Sequence, residues 1–211
     1  MNVHEAIRAR RTIRDFDSRS IDRTTLTSIL DAGLCAPTHD VRNGRRFVLI
    51  ADPVTRDRLA GLFHRERSRE DLLSLVDSWG VEDAQQRAMF LDGIPKQSRM
   101  IRTAAALIVP CFLQTEPLLA DKQSLHQLNA FAEAWACIEN MLIAAAACGI
   151  HGVTKIPSTP DESERIRRIL GIPSEYEVPC CLALGYPSSD ARRFPPSLPP
   201  ADDVTFEDRW A

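Results

Sequence analysis

The sequence predicts a single domain that mixes helices with short strands, and three observations carry that reading. A chain of 211 residues can bury a full hydrophobic core, and its 44% hydrophobic and 26% charged content is that of an ordinary globular protein. Three short apolar runs, at 46–51, 104–112 and 178–184, have strand character. The segments around them carry helical spacing and recognisable caps.

Val3, Ala6 and Ile7 recur at helical spacing, so residues 2–10 form a short helix that ends among arginines: Arg8, Arg10, Arg11 and Arg14 crowd seven positions. Asp22 is a good N-cap for the next helix, with Ile21 and Leu26 placed to close a hydrophobic staple. Leu26, Ile29, Leu30 and Leu34 should face the core, and Pro37 marks the stop. Arg46 to Ala51, between Asn43-Gly44 and Asp52-Pro53, is expected to be a buried strand leading into a helix that Asp52 caps.

From about residue 64 to 100 the chain is charged and irregularly periodic, with breaks at Trp79-Gly80 and Ile94-Pro95, so two peripheral helices are expected. Ala104 to Phe112 returns to strand character, with Pro110 making its end an edge or a bend. Leu125, Leu128, Phe131, Trp135, Ile138, Met141, Leu142 and Ala145 step by threes and fours, which predicts a long central helix reaching toward Gly149. Thr159-Pro160-Asp161-Glu162 combines a cap, a proline at the first helical position and a capping-box acid, so a helix runs to Gly171. Val178 to Leu184 is the last apolar strand, and the tail with Pro195, Pro196, Pro199 and Pro200 should run extended over some surface.

Charge and cysteine usage exclude several functions. The formal net charge is −3, so there is no basic excess to neutralise a run of phosphates, and nucleic-acid binding is not expected. The six cysteines contain no C-x-x-C pair and most sit in apolar runs, which points to buried free thiols, a reducing cytoplasmic compartment and no zinc site. The stretch Met1-Asn2-Val3-His4-Glu5 has an acid and no apolar h-region, and Glu133 and Glu139 interrupt the apolar helix. Neither a signal peptide nor a transmembrane span is expected.

The most informative chemistry lies in Arg10-Arg11-Thr12-Ile13-Arg14-Asp15-Phe16. Once the helix ends, an extended backbone places Thr12, Arg14 and Phe16 on one side, with Arg10 near it, and Ile13 on the other. Two guanidiniums and a hydroxyl with little nearby acid suit a phosphate, or charge developing on a heterocyclic ring. The alternative is that these cations merely complement the dipole at a helix C-terminus.

Arg10 to Phe16, followed by Ile29-Leu30-Asp31-Ala32-Gly33, Ala36-Pro37-Thr38 and Phe47-Val48-Leu49-Ile50, resembles the opening of the nitroreductase family of flavoproteins. The distal half is similar too: Ile138-Glu139-Asn140-Met141-Leu142, then Ile169-Leu170-Gly171-Ile172-Pro173, then Ala183-Leu184-Gly185-Tyr186-Pro187, in that family's order and spacing. The resemblance implies an α+β fold, with helices flanking a central, mostly antiparallel sheet, in an intertwined homodimer. It makes residues 1–211 one domain, with about 61–100 a variable helical insertion and 188–211 an extended tail. FMN is the implied cofactor, with NAD(P)H as electron donor and ping-pong hydride transfer to a nitroaromatic, quinone or other conjugated acceptor. Oxygen-linked dehydrogenation, flavin-dependent cleavage and dehalogenation remain open on the same scaffold.

Carried over by position, Arg10 holds the FMN phosphate or ribityl chain, and Thr12 keeps the hydroxyl of the family's serine. Arg14 faces the flavin pyrimidine edge and stabilises charge on the reduced ring. Arg11 is either a further contact or helix-end structure. Arg193 and Arg192 match the basic residues that close over the phosphate. The segment Thr154-Lys155-Ile156 passes over the flavin N5, with the Ile156 N–H aimed at it, since Pro157 has none. Lys155 could equally be a surface lysine, and His151 is either loop structure or a group that reaches substrate.

After Pro37 the chain departs from the family pattern: Thr38 stands at a serine and Asn43 at a longer glutamine, both as cofactor contacts by position, whereas Val41 replaces an amide and Arg45 a tryptophan, so that either Asn43 and Arg42 compensate or the flavin contacts are weaker. His39 and Asp40 read as loop structure. The departure motivates the rival function, a non-catalytic dimer that binds or sequesters FMN or another anionic ligand.

Overall fold

The computed structural model describes residues 1–39, 44–114, 128–196 and 198–210. Helix α1 (Val3–Ala9) starts at a capping box in which Asn2 and Glu5 satisfy each other's backbone N–H groups. Helix α2 (Arg23–Leu34) starts where Asp22 accepts from the Thr25 N–H, and α3 (Pro53–Leu62) where Asp52 accepts from Thr55. Helix α8 (Pro160–Leu170) starts at Thr159 and ends on Gly171, whose φ of 65° is the left-handed conformation that glycine adopts without strain. The caps act on their own neighbours in the chain, so all four helices lie close to where the sequence predicts them.

A five-stranded antiparallel sheet forms the centre. Strands β1 (Arg45–Leu49), β2 (Ala106–Leu113), β3 (His151–Lys155) and β5 (Cys181–Gly185) run in the order β1-β2-β5-β3, and the two-residue β4 (Tyr176–Glu177) pairs with β2. Alternation sorts the side chains by face. Leu107, Val109, Cys111, Val153, Cys181 and Ala183 pack against α3, α8 and α6 (Gln97–Thr103). Ala106, Ile108, Leu182 and Leu184 pack against α2 and the long α7 (Asn129–Ala147). Both faces are covered, which is why β2 and β5 read as continuous apolar runs.

Several expectations need correction. Pro110 neither ends nor bends β2; it pairs with Phe47 in mid-strand. The Ile50 N–H bonds to Leu107 and the Leu113 N–H to Gly44, so strand alternation makes Phe47–Pro110 a non-hydrogen-bonded pair. The proline nitrogen faces the opposite edge, between the residues that pair with β5 and those that pair with β4. The run at 46–51 is an edge strand rather than a buried one, with Leu49 36% exposed, and Leu34 on α2 faces outward at 40%.

Three helices occupy 64–103 rather than two. Helices α4 (Arg69–Ser78) and α5 (Ala84–Gly93) pack on each other outside the sheet, whereas α6 buries Met100 and Ile101 in the core. Leu125 lies outside the described residues, and α7 begins one residue after Leu128. Strands β3 and β4 are additions to the sequence reading.

Candidate functional site

Arg10 caps the end of α1, and its N–H donates to the Ala6 carbonyl. The chain then extends along β3: Thr12 bridges Gly152, and the Ile13 N–H donates to the Gly152 carbonyl at 3.3 Å. Alternation follows as predicted, with Ile13 and Asp15 buried and Thr12 exposed. Phe16 lies against the end of β5, where a Cβ on Gly185 would come within 2.7 Å of its ring.

Three arginines from distant parts of the chain act on His151. Arg10 and Arg11 follow α1 and Arg193 belongs to the tail, while His151 opens β3 opposite Gly185. Burial holds the imidazole below its ordinary pKa, and the charges of Arg193, Arg11 and Arg10 lower it further. His151 is therefore not a loop residue: it is buried in the sheet, and its Nδ1 has no hydrogen-bond partner among the described residues. Arg10 Nε pairs with Glu139 Oε1 on α7 at 2.9 Å, and Arg11 Nη1 donates to the Arg8 and Arg10 carbonyls at 2.6 Å. A buried nitrogen in want of a partner, lying in the field of three guanidiniums, fits an anionic group such as a phosphate.

Arg14 takes a different course. Its guanidinium lies against Gly93, at the end of α5, where a Cβ would fall 2.8 Å from Cζ. Burial lowers its pKa, and Asp92 and Asp15 partly offset that, so the expectation of little nearby acid is corrected. Lys96 Nζ joins the two carboxylates, reaching Asp92 Oδ1 at 2.8 Å and also bonding Asp15 Oδ2; Arg99 bonds the other Asp15 oxygen. Arg192 lies 3.7 Å from the same Asp92 oxygen and over the Phe194 ring.

At the far end of β3, successive side chains leave by opposite faces: Thr154 is half-buried and Lys155 is buried. Lys155 is thus no surface lysine. Its Nζ donates to the Ile156 carbonyl at 2.7 Å and to Ser158 Oγ at 3.3 Å, 4.7 Å from the centre of the Phe63 ring, and burial lowers its pKa. The Ser158 N–H donates to Glu162 Oε2 at 2.7 Å, and Arg65 holds the other oxygen at 2.8 Å. This bracing presents Ile156, 52% exposed, at the mouth of an apolar groove of about 600 Å³ lined also by Phe112, Phe131, Pro157 and Val178.

Thr38 is exposed in the loop after α2, and the next residue, His39, pairs through Nδ1 with Glu133 of α7 at 2.6 Å. Asn43, Val41 and Asp40 lie outside the described residues. Arg45 is buried and turned inward, with Nη2 donating to the Ala36 carbonyl at 3.0 Å. The sequence reading missed Asp92, Lys96, Glu139 and Glu162 as members of the site. The i, i+4 spacing of Asp92 and Lys96 was the available signal for that pair; Glu139 stood out only as a charge interrupting an apolar helix.

A model of the nitroreductase family matches residues 7–186. The chain is 27% identical over 196 residues to an NADH dehydrogenase of Thermus thermophilus, covering 90% of this chain and 89% of that protein. Among solved structures it resembles oxidised iodotyrosine deiodinase bound to FMN and 3-iodo-L-tyrosine, with a TM-score of 0.71 at 15% identity, covering 99% of this chain and all of that one. It is also similar to the NADPH:FMN oxidoreductase of Vibrio harveyi complexed with NAD+, with a TM-score of 0.68 at 22% identity, covering 100% of this chain and 79% of that one.

Proposed function

The chain belongs to the nitroreductase family of flavin-dependent oxidoreductases, and we propose that it passes hydride from NAD(P)H by way of FMN to a nitroaromatic, quinone or other conjugated acceptor. The observation that carries the proposal is the buried Nδ1 of His151, without a hydrogen-bond partner among the described residues and within electrostatic reach of Arg193, Arg11 and Arg10. When bound, FMN supplies the ring that accepts and returns hydride.

The chain's own residues do the rest. Arg10, Arg11 and Arg193 hold the phosphate, and the exposed Thr12 offers its hydroxyl beside them. Arg14 contributes positive charge toward the ring, held in place by Gly93, Asp15 and Asp92. The Ile156 N–H addresses the reacting edge, and Lys155 serves it from behind by bonding the Ile156 carbonyl rather than by touching the cofactor. Thr154 flanks this strand end, Thr38 and Asn43 contribute from the loop after α2, and Arg192 closes the tail side. Solvent delivers the proton.

The working unit is a homodimer. Leu34, Leu128, Phe131 and Ile156 are large apolar side chains left 37–52% exposed, and a second copy is the natural cover for them. Arg45, whose presence motivates the sequestration alternative, faces inward to the end of α2 and so lends that alternative no support. The test is the visible spectrum of the purified protein and its FMN content, followed by NAD(P)H oxidation with added quinone. Flavin near one per subunit with turnover is expected, and Arg10→Ala should weaken FMN more than riboflavin. Absence of flavin uptake, or equal losses for both ligands, would overturn the assignment.

A further inference from the structure

Asp92 sits where two otherwise separate parts of the site meet. It closes the last turn of α5 with 8% of its side chain exposed, one residue before the Gly93 against which the Arg14 guanidinium rests. Lys96 bonds its Oδ1, Arg192 of the tail approaches the same oxygen, and Lys96 also holds Asp15, the neighbour of Arg14 in the chain. Three cationic side chains, Arg14, Lys96 and Arg192, and two carboxylates are thus arranged so that Asp92 and Asp15 temper the charge of Arg14. The residue preceding Gly93 is a little-exposed carboxylate whose charge acts on the cation assigned to the flavin ring.

We propose that Asp92 is a positioning residue that seats Arg14 over Gly93 and, by partly neutralising it, sets the reduction potential of the bound flavin, with Lys96 acting in the opposite sense. The inference rests on the FMN reading above and adds to it a part of the segment, about 61–100, that the sequence reading sets apart as a variable insertion. Removing the negative charge leaves Arg14 more positive in effect and favours reduced FMN; removing Lys96 leaves the two carboxylates less compensated and disfavours it. Purely structural damage would not move the potential in opposite directions.

The experiment measures the midpoint potential of the FMN-loaded protein by dye equilibration, with FMN affinity and thermal melts in parallel. Asp92→Asn should raise the reduced-to-oxidised ratio at a fixed potential by on the order of tenfold, the effect of one unit charge through partly screened protein, and Lys96→Gln should lower it. Gly93→Ala is the variant that keeps the fold: alanine favours the helix while its Cβ displaces the guanidinium, so the potential should move without loss of melting temperature. Unchanged potentials in all three with FMN bound, or shifts of the same sign for Asp92→Asn and Lys96→Gln, would overturn this inference alone. Wild-type protein that takes up no FMN would overturn the functional reading and this inference with it.

Discussion

If Arg10 holds phosphate as proposed, Glu139 competes with it, and replacing Glu139 separates binding from stability. The pair is 2.9 Å long, but the two side chains are 35% and 50% exposed. A partly solvated pair of this kind contributes about 0.2–1 kcal/mol. Glu139→Gln should therefore lower the stability of the apo-protein by no more than that, a fall in Tm of at most about 4 °C for a domain of this size. The same free energy no longer has to be given up when phosphate displaces the carboxylate, so FMN should bind about 1.4- to 5-fold more tightly. Riboflavin has no phosphate, and its affinity should stay where it is. Fluorescence titration of the apo-protein with both ligands at low ionic strength reads the difference, and added salt should shrink it. Weaker FMN binding with riboflavin unchanged would refute the argument, for it would mean that Glu139 holds Arg10 in place rather than competing for it.

Two further outcomes follow from the packing. Gly152→Ala would place a Cβ 2.5 Å from Leu184 Cδ2 and 2.7 Å from the Ala183 carbonyl, and overpacking against backbone should cost about 1–3 kcal/mol, a Tm roughly 2–12 °C lower by calorimetry. Burial pushes the Cys111 thiol from 9.0 up to about 11 and Cys181 up to about 12, so the thiols ionise first in the unfolded chain. The stability they contribute is complete below about pH 9 and is lost as pH rises through the folded values, on the order of 3 kcal/mol by pH 11 for Cys111 alone, while the lowered pKa of Lys155 acts the other way; urea melts between pH 8 and 11 check the net fall.

How much was legible depends on the range of the interaction concerned. Asp22, Asp52 and Thr159 announce their helices because a cap bonds a backbone N–H two or three residues away, and no partner from elsewhere is needed. Strands β2 and β5 are visible because both of their faces are buried, which leaves an uninterrupted apolar run. Strand β3 was not visible as one. His151-Gly152-Val153-Thr154-Lys155 looks like polar loop, and only pairing with β5 on one edge and Thr12 at the other makes it sheet. Lys155 hides for the same reason: alternation turns it inward, and the groups that receive its ammonium belong to the loop that follows.

The sequence by itself determined the helices with local caps, the two doubly buried strands, the side-to-side alternation of Thr12 to Phe16, and the crowding of arginines between Arg8 and Arg14. Tertiary structure alone decided what those arginines face. Arg10 meets Glu139 across 129 positions of chain numbering, Arg14 feels the charge of Asp92 across 78, and Arg193 acts electrostatically on His151 from the tail. Coulombic partners act through space with no dependence on chain separation, so a linear reading sees charges but not their neighbours, and the electrostatic character of the site exists only once the chain has folded.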